Sequence, residues 1–176
     1  PVPCPYLPDR MERRLITELI GRNASEIHDQ LSYGGFRRSH SIAYAPACPS
    51  CDSCKAVRIL VKKFNPSRSQ RRIWTKNDDL SMQLKSAVAT EEQYGLFKRY
   101  QRDRHGGGDM AAMNFFDYQA LIEDTPIDTS ILEVRDYDGY LIAACLMDTM
   151  ATGLSAVYSF YEPGLGRRSL GNYMIL

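Results

Sequence analysis

The 176-residue sequence predicts a mixed α+β fold in two parts: a basic N-terminal domain over residues 1–76 with a cysteine cluster, and a second domain over residues 77–176. Three observations predict it. Charge is segregated, since residues 1–76 hold 14 Lys and Arg against 6 Asp and Glu, whereas residues 77–176 hold 8 against 15, beneath a formal net charge of only +1. Strand-like and helix-like patterns are interleaved along the whole chain. The apolar fraction of 44% is ample for a core without covalent staples.

Element by element, Met11, Leu15, Ile16, Leu19 and Ile20 sit at helical spacing, so a first helix is expected from Asp9 to Ile20, ended by Gly21. Gly34-Gly35 marks a turn, and Ile42 and Tyr44 alternate with small residues. The β-branched run Val57-Arg58-Ile59-Leu60-Val61 reads as a strand. Asn65-Pro66-Ser67 is a turn, after which Ser67 to Trp74 suits either a strand or a helix. Thr90-Glu91-Glu92-Gln93 has the form of a capping box, which places a helix from about Thr90 to His105, stopped by Gly106-Gly107-Gly108. Phe115 to Glu123 reads as another helix. Ile131–Arg135 and Tyr140–Leu146 flank Asp138-Gly139 and predict a β-hairpin, with a further strand at Ala156–Tyr161. Gly164-Leu165-Gly166-Arg167-Arg168-Ser169-Leu170-Gly171 then leads into a new helix, and the chain stops at Met174-Ile175-Leu176 inside it, as a fragment of a longer protein would.

The segment from Phe36 to Trp74 carries the strongest chemical signal, with three cysteines and nine Lys or Arg. Arg37, Arg38, Arg58, Arg68, Arg71 and Arg72 offer planar donors for phosphate or carboxylate, which points to a polyanion such as nucleic acid. Arg167 and Arg168 extend the set. Cys4, Cys48, Cys51 and Cys54 supply four thiols suited to zinc or an iron–sulfur cluster, and a reduced cysteine-rich loop is the plainer alternative. Cys145 belongs to a core strand. His28, His40 and His105 show no ligand spacing. Five cysteines, the lack of any run of about 18 apolar residues and the lack of a signal-peptide pattern together lead to the expectation of a soluble cytoplasmic protein.

The order of helices, hairpin, strand and glycine/arginine loop is similar to that of the GNAT acyltransferase superfamily. In that fold the loop presents backbone N–H groups to the phosphates of the acyl donor. Here it lacks the usual spacing for acetyl-CoA, so coenzyme A is not expected.

Cys4-Pro5-Tyr6-Leu7-Pro8-Asp9-Arg10, Phe36-Arg37-Arg38-Ser39, Tyr44-Ala45-Pro46-Ala47-Cys48, Cys51-Asp52-Ser53-Cys54, Phe64–Arg72 and Tyr158-Ser159-Phe160-Tyr161-Glu162-Pro163 resemble the arginyl-tRNA–protein transferase family. The bacterial aspartate/glutamate leucyltransferase branch is the most similar. The resemblance implies an aminoacyltransferase that moves leucine from leucyl-tRNA to the N-terminal α-amine of proteins starting with Asp or Glu and so marks them for N-end rule degradation. It also implies a GNAT-like domain that continues beyond Leu176. Leu7 stands where the eukaryotic arginyl branch has a second cysteine, so a cluster built on that pair does not transfer.

An aminoacyl ester is already activated, so the enzyme must chiefly position a neutral amine and stabilise an oxyanion, with no cofactor required for transfer. Tyr158, Tyr161 and Glu162, at the strand end beside the loop, are the candidate catalytic groups. Arg71 and Arg72 are the candidates for the acidic side chain of the acceptor, and Trp74 and Tyr44 for stacking on a terminal adenine. The alternatives are the same reaction with arginyl-tRNA, or a zinc-ribbon nucleic-acid-binding module without catalysis.

Overall fold

The computed structural model describes residues 2–176 and bears out the mixed α/β class. A two-stranded ladder pairs β1 (Val2–Pro3) with β2 (Met11–Glu12). A three-stranded antiparallel sheet follows, formed by β3 (Arg14–Glu18), β4 (Arg37–Ser39) and β5 (Ile42–Pro46) in the order β3-β5-β4, with α1 (Ala24–Tyr33) between β3 and β4.

The helix expected over Asp9 to Ile20 is therefore replaced by β2 and β3. Pairing with β5, from Arg14 opposite Pro46 to Glu18 opposite Ile42, claims these backbone groups, and Leu15 and Ile16 stay exposed rather than forming a buried helical stripe. Leu19 alone of the apolar set reaches the core, beside Ala24, Ala43 and Ile127. Gly21, at φ +79°, supplies the turn that a side chain would strain. The strand expected over Val57–Val61 is also absent: the run is irregular, ends in a 3₁₀ turn at Val61–Lys63, and leaves Val57 90% exposed. β-Branched composition makes no strand without a partner edge.

The open choice at Ser67 resolves as helix α2 (Arg68–Lys76). Its capping box is closed, with Ser67 Oγ accepting from the Gln70 N–H and Gln70 Oε1 accepting from the Ser67 N–H at 2.7 Å.

The second half is built on a four-stranded antiparallel meander of β6 (Ser81–Ser86), β7 (Thr129–Arg135), β8 (Leu141–Met150) and β9 (Gly153–Tyr161). Helices α3 (Glu91–His105), α4 (Asp109–Ala112) and α5 (Phe115–Glu123) connect β6 to β7. From Ala143 onward, successive β8 residues face opposite layers. Ala144 and Leu146 join Leu96, Phe97, Tyr118 and Phe160 under α3 and α5, whereas Ala143 and Cys145 join Leu170, Tyr173 and Met174 under α6 (Leu170–Tyr173). Burial on both faces explains the continuous apolar run Leu141–Leu146. It also pushes the Cys145 thiol up to about 11.

Two seams join the halves. At one, Arg38 of β4 is buried against Asp148 of β8, with Nε and Nη2 donating to the two carboxylate oxygens at 2.6 and 2.7 Å; Thr129 Oγ1 also donates to Asp148. At the other, α2 lies beside α6, where Trp74 meets Tyr173 at 5.5 Å between ring centroids and Lys76 donates to the Arg167 carbonyl.

Candidate active site

The pairing of β8 with β9 slips between Leu146 opposite Tyr158 and Met147 opposite Ala156, so Val157 has no partner across the ladder. A bulge of this kind bends a strand and re-aims its side chains, and bulges concentrate near active sites. The next residue is Tyr158. Its Oη accepts a 2.6 Å hydrogen bond from Gln101 Nε2 of α3, and its ring lies against Phe97 and Phe160. Burial raises its pKa, and the Gln101 bond works in the opposite direction.

Tyr161 sits at the end of β9, where its ring meets Tyr100 at 4.9 Å and lies under the Arg104 guanidinium. Gly171 of α6 closes on it, because a Cβ there would stand 3.2 Å from Tyr161 Cε1. Burial, before the neighbouring tyrosines, raises the Tyr100 pKa. Glu162 Oε2 accepts from Arg99 Nε at 2.8 Å, and its main-chain N–H continues the ladder to the Ile142 carbonyl. The chain then runs through 3₁₀ turns at Pro163–Arg168, and Ser169, at φ +55°, redirects it into α6. An open hollow of about 480 Å³ is lined by Glu91, Glu92, Gly95, Arg99, Tyr140, Leu141, Ile142 and Glu162.

The structure thus gathers Tyr158, Tyr161 and Glu162 along the α3 face and adds residues that the motifs did not single out: Arg99, Tyr100, Gln101 and Arg104. The available signal was Gln101 itself. It falls on the stripe of α3 that includes Gln93, Leu96, Phe97 and Tyr100, and an amide on a buried stripe calls for an explanation.

Of the predicted arginines, Arg68, Arg71 and Arg72 are exposed on α2, beside the loop bearing exposed Arg167. Arg71 Nη1 donates to the Pro66 carbonyl. Arg168 is engaged by Asp79 at 2.8 and 2.9 Å, which depresses the Asp79 pKa. Arg37 is exposed on β4. Arg58 lies over the Tyr33 ring and donates to the Tyr33 carbonyl. Arg38 differs most from the sequence reading. Its side chain is spent on Asp148 and the His40 carbonyl, with 1% exposure, so it is a structural tie rather than a surface contact.

The four-thiol site is not assembled. Cys48 Sγ is held by the Arg13 main chain, Cys51 Sγ donates to Ser53 Oγ, and Cys54 is exposed. Among the described residues no three His, Cys, Asp or Glu side chains stand together as a metal would require. The Ser53 hydrogen bonds, and secondarily Arg10, lower the Cys51 pKa.

A bulged strand that ends in a tyrosine and an acid beside a glycine/arginine loop, with a basic helix alongside, offers the groups that acyl transfer from a polyanionic donor would use. Comparison with known proteins agrees with that class. Residues 2–72 match the family described as arginine-tRNA-protein transferase, N terminus, and residues 92–176 match its C terminus. The chain belongs to this family.

Similar proteins include the aspartate/glutamate leucyltransferase of Paramagnetospirillum magneticum, 56% identical over 100% of this chain and 72% of that protein. That of Granulibacter bethesdensis is 57% identical over 99% of this chain and 65% of its own length. That of Rhodospirillum rubrum is 51% identical over 100% and 72%. The chain therefore spans about two thirds to three quarters of these relatives. Among the described residues no helix is long and apolar enough to cross a membrane.

Proposed function

We propose that this chain is the larger part of a cytoplasmic aminoacyl-tRNA–protein transferase that moves leucine from leucyl-tRNA onto the α-amine of proteins beginning with Asp or Glu, so committing them to regulated degradation. The observation that carries this reading is identity above 50% along the whole chain to proteins named for that activity. The labour divides near Lys76: residues 1–76 supply the basic surface, and residues 77–176 the acyl-transfer site.

On this reading Arg68, Arg71, Arg72 and Arg167 face the tRNA acceptor end, with Arg71 or Arg72 also answering the acidic side chain of the acceptor. Exposed guanidinium groups on adjoining elements suit phosphates spaced along a strand, and such binding weakens steeply with salt. Tyr158, Tyr161 and Glu162 surround the reacting ester. Glu162 is held by Arg99, which fixes its carboxyl group where it can orient an incoming ammonium or amine. No coenzyme is needed, because the ester carries its own activation.

Arginine in place of leucine is the second reading, favoured by the arginine-tRNA-protein transferase family to which both halves of the chain match. The test uses the full-length protein, tRNA charged with labelled leucine or arginine, and peptides starting with Asp, Glu or Ala. Leucine label on the Asp and Glu peptides alone is the expected result. Arginine label moves the chain to the sister specificity, and no transfer with tRNA still bound returns it to a nucleic-acid-binding module.

A further inference from the structure

Gln101 is fully buried, yet only one end of its amide is used. Nε2 donates to Tyr158 Oη at 2.6 Å, and Oε1 is buried with no hydrogen-bond partner within the protein. Burying a bare carbonyl is unfavourable, and a native structure that retains one needs a reason. Half a turn of the amide would bring Oε1 to the tyrosine and let it accept the phenolic proton. The observed orientation does the reverse. With Gln101 donating, one lone pair of Oη is occupied, and the Tyr158 O–H must point elsewhere; Tyr158 makes no other protein hydrogen bond among those of the described residues. Tyr158 is half-buried, follows directly on the bulge at Val157, and lies on the strand that ends at Glu162.

We propose that Gln101 is a positioning residue that holds Tyr158 as a neutral proton relay, with its O–H and its second lone pair turned toward the reacting groups of aminoacyl transfer. The proposal rests on the aminoacyl-transfer reading above. In the step itself the acceptor α-amine attacks the ester carbon of aminoacyl-tRNA. The C–N bond forms and the C–O bond to the terminal ribose breaks. The amine gives a proton to the free lone pair of Tyr158 Oη as the tyrosine gives its own proton to the departing ribose oxygen. The tyrosine ends as it began, and no net proton is gained or lost. A neutral phenol suits this role, and burial raises the Tyr158 pKa above the ordinary phenol value.

The test compares Tyr158→Phe, Gln101→Leu, Gln101→Glu and the Gln101→Leu/Tyr158→Phe double variant in the full-length protein, in single-turnover leucine transfer to an Asp-initial peptide. Tyr158→Phe is expected to lower the transfer rate by about 10²- to 10³-fold, with KM for peptide and tRNA little changed. Gln101→Leu lowers it on the order of 10-fold through kcat, because the hydroxyl is no longer oriented. Gln101→Glu places an acceptor where the donor was, captures the phenolic proton, and falls to the level of Tyr158→Phe. The double variant is no slower than Tyr158→Phe alone, since Gln101 acts only through the tyrosine.

A second readout needs no substrate. NMR of ring-labelled tyrosine should show the Tyr158 ionisation moving further up in Gln101→Leu. Losses that multiply in the double variant, or a Gln101→Leu enzyme with unchanged kcat and unchanged Tyr158 ionisation, overturn the proposal. A wild-type protein that transfers neither amino acid while Gln101→Leu still shifts Tyr158 overturns the relay but leaves the hydrogen-bond control standing, which separates failure of the aminoacyl-transfer reading from failure of the orientation argument.

Discussion

Helix α3 buries two glutamines two turns apart, and each meets a tyrosine. Gln93 uses its whole amide: Nε2 donates to Glu133 at 2.8 Å, while Oε1 accepts from Tyr118 Oη and from the Thr90 N–H. Glu133 in turn is held by Lys85 and Arg135. Burial works against the Glu133 anion, but the Lys85, Gln93 and Arg135 hydrogen bonds outweigh it and leave the pKa lowered. Gln101, on the same stripe, uses half of its amide and strands the rest. The first arrangement is closed, so its tyrosine proton is consumed by the protein. The second leaves the phenolic proton unclaimed. Both glutamines are fully buried, so what separates a fold-holding polar network from a reactive one here is whether the last proton has an internal partner, on a buried Tyr118 in one case and a half-buried Tyr158 in the other.

The strongest way to sharpen this contrast is to break a closed network outright. Arg38 and Asp148 are both sealed, with side-chain exposures of 1% and 0%. Removing one partner of a buried pair leaves an uncompensated charge, so Arg38→Leu is expected to destabilise the protein by about 3–5 kcal/mol. Urea unfolding should show the midpoint falling with little change in slope. A loss under about 1 kcal/mol would mean that Thr129 alone satisfies Asp148 and that the seam is less closed than its geometry implies.

Gln93→Leu comes next. It removes the acceptor for Tyr118 and for the Thr90 N–H and one donor to Glu133, at an expected cost of about 2–3 kcal/mol by the same measurement. Tyr118 packs in the core against Tyr94, Phe97 and Phe160, and leucine transfer per folded molecule should change little.

How much of this was legible in the sequence follows from how local each cause is. The capping box at Thr90–Gln93, the Asp138-Gly139 hairpin and the strand at Ala156–Tyr161 are set by neighbouring residues, and the structure places them where the pattern did. Gly139 at φ +86° is the turn residue the hairpin requires. β3 and β6 were not legible, because their mostly exposed residues carry no burial alternation and become strands only through distant partners, β5 and β7. α1 was missed for a related reason: Asn23 makes no side-chain cap bond, and only Ala24 and His28 are buried.

Among the candidate site residues, Tyr158, Tyr161 and Glu162 stand in one short stretch and can be proposed together from the sequence. Gln101 lies 57 residues from Tyr158 and could be paired with it only in three dimensions. Arg38 reads as one more basic residue until Asp148, 110 positions away, is found against it.

The smallest effect on stability is the one that discriminates best. Gln101→Leu removes one hydrogen bond to a tyrosine that is half-buried, so its Oη can turn to water, and it also removes a carbonyl that had no partner. The two changes oppose each other, and the net is expected to stay within about 1 kcal/mol, against about 2–3 kcal/mol for the same substitution at Gln93. If Gln101 served the fold as Gln93 does, the two variants would lose similar stability, and any fall in transfer at Gln101→Leu would track the unfolded fraction. If Gln101 serves Tyr158, the midpoint barely moves while kcat falls. Denaturation and single-turnover transfer measured on the same preparations decide between these, because a residue kept for the fold cannot be nearly neutral to stability and still set the rate.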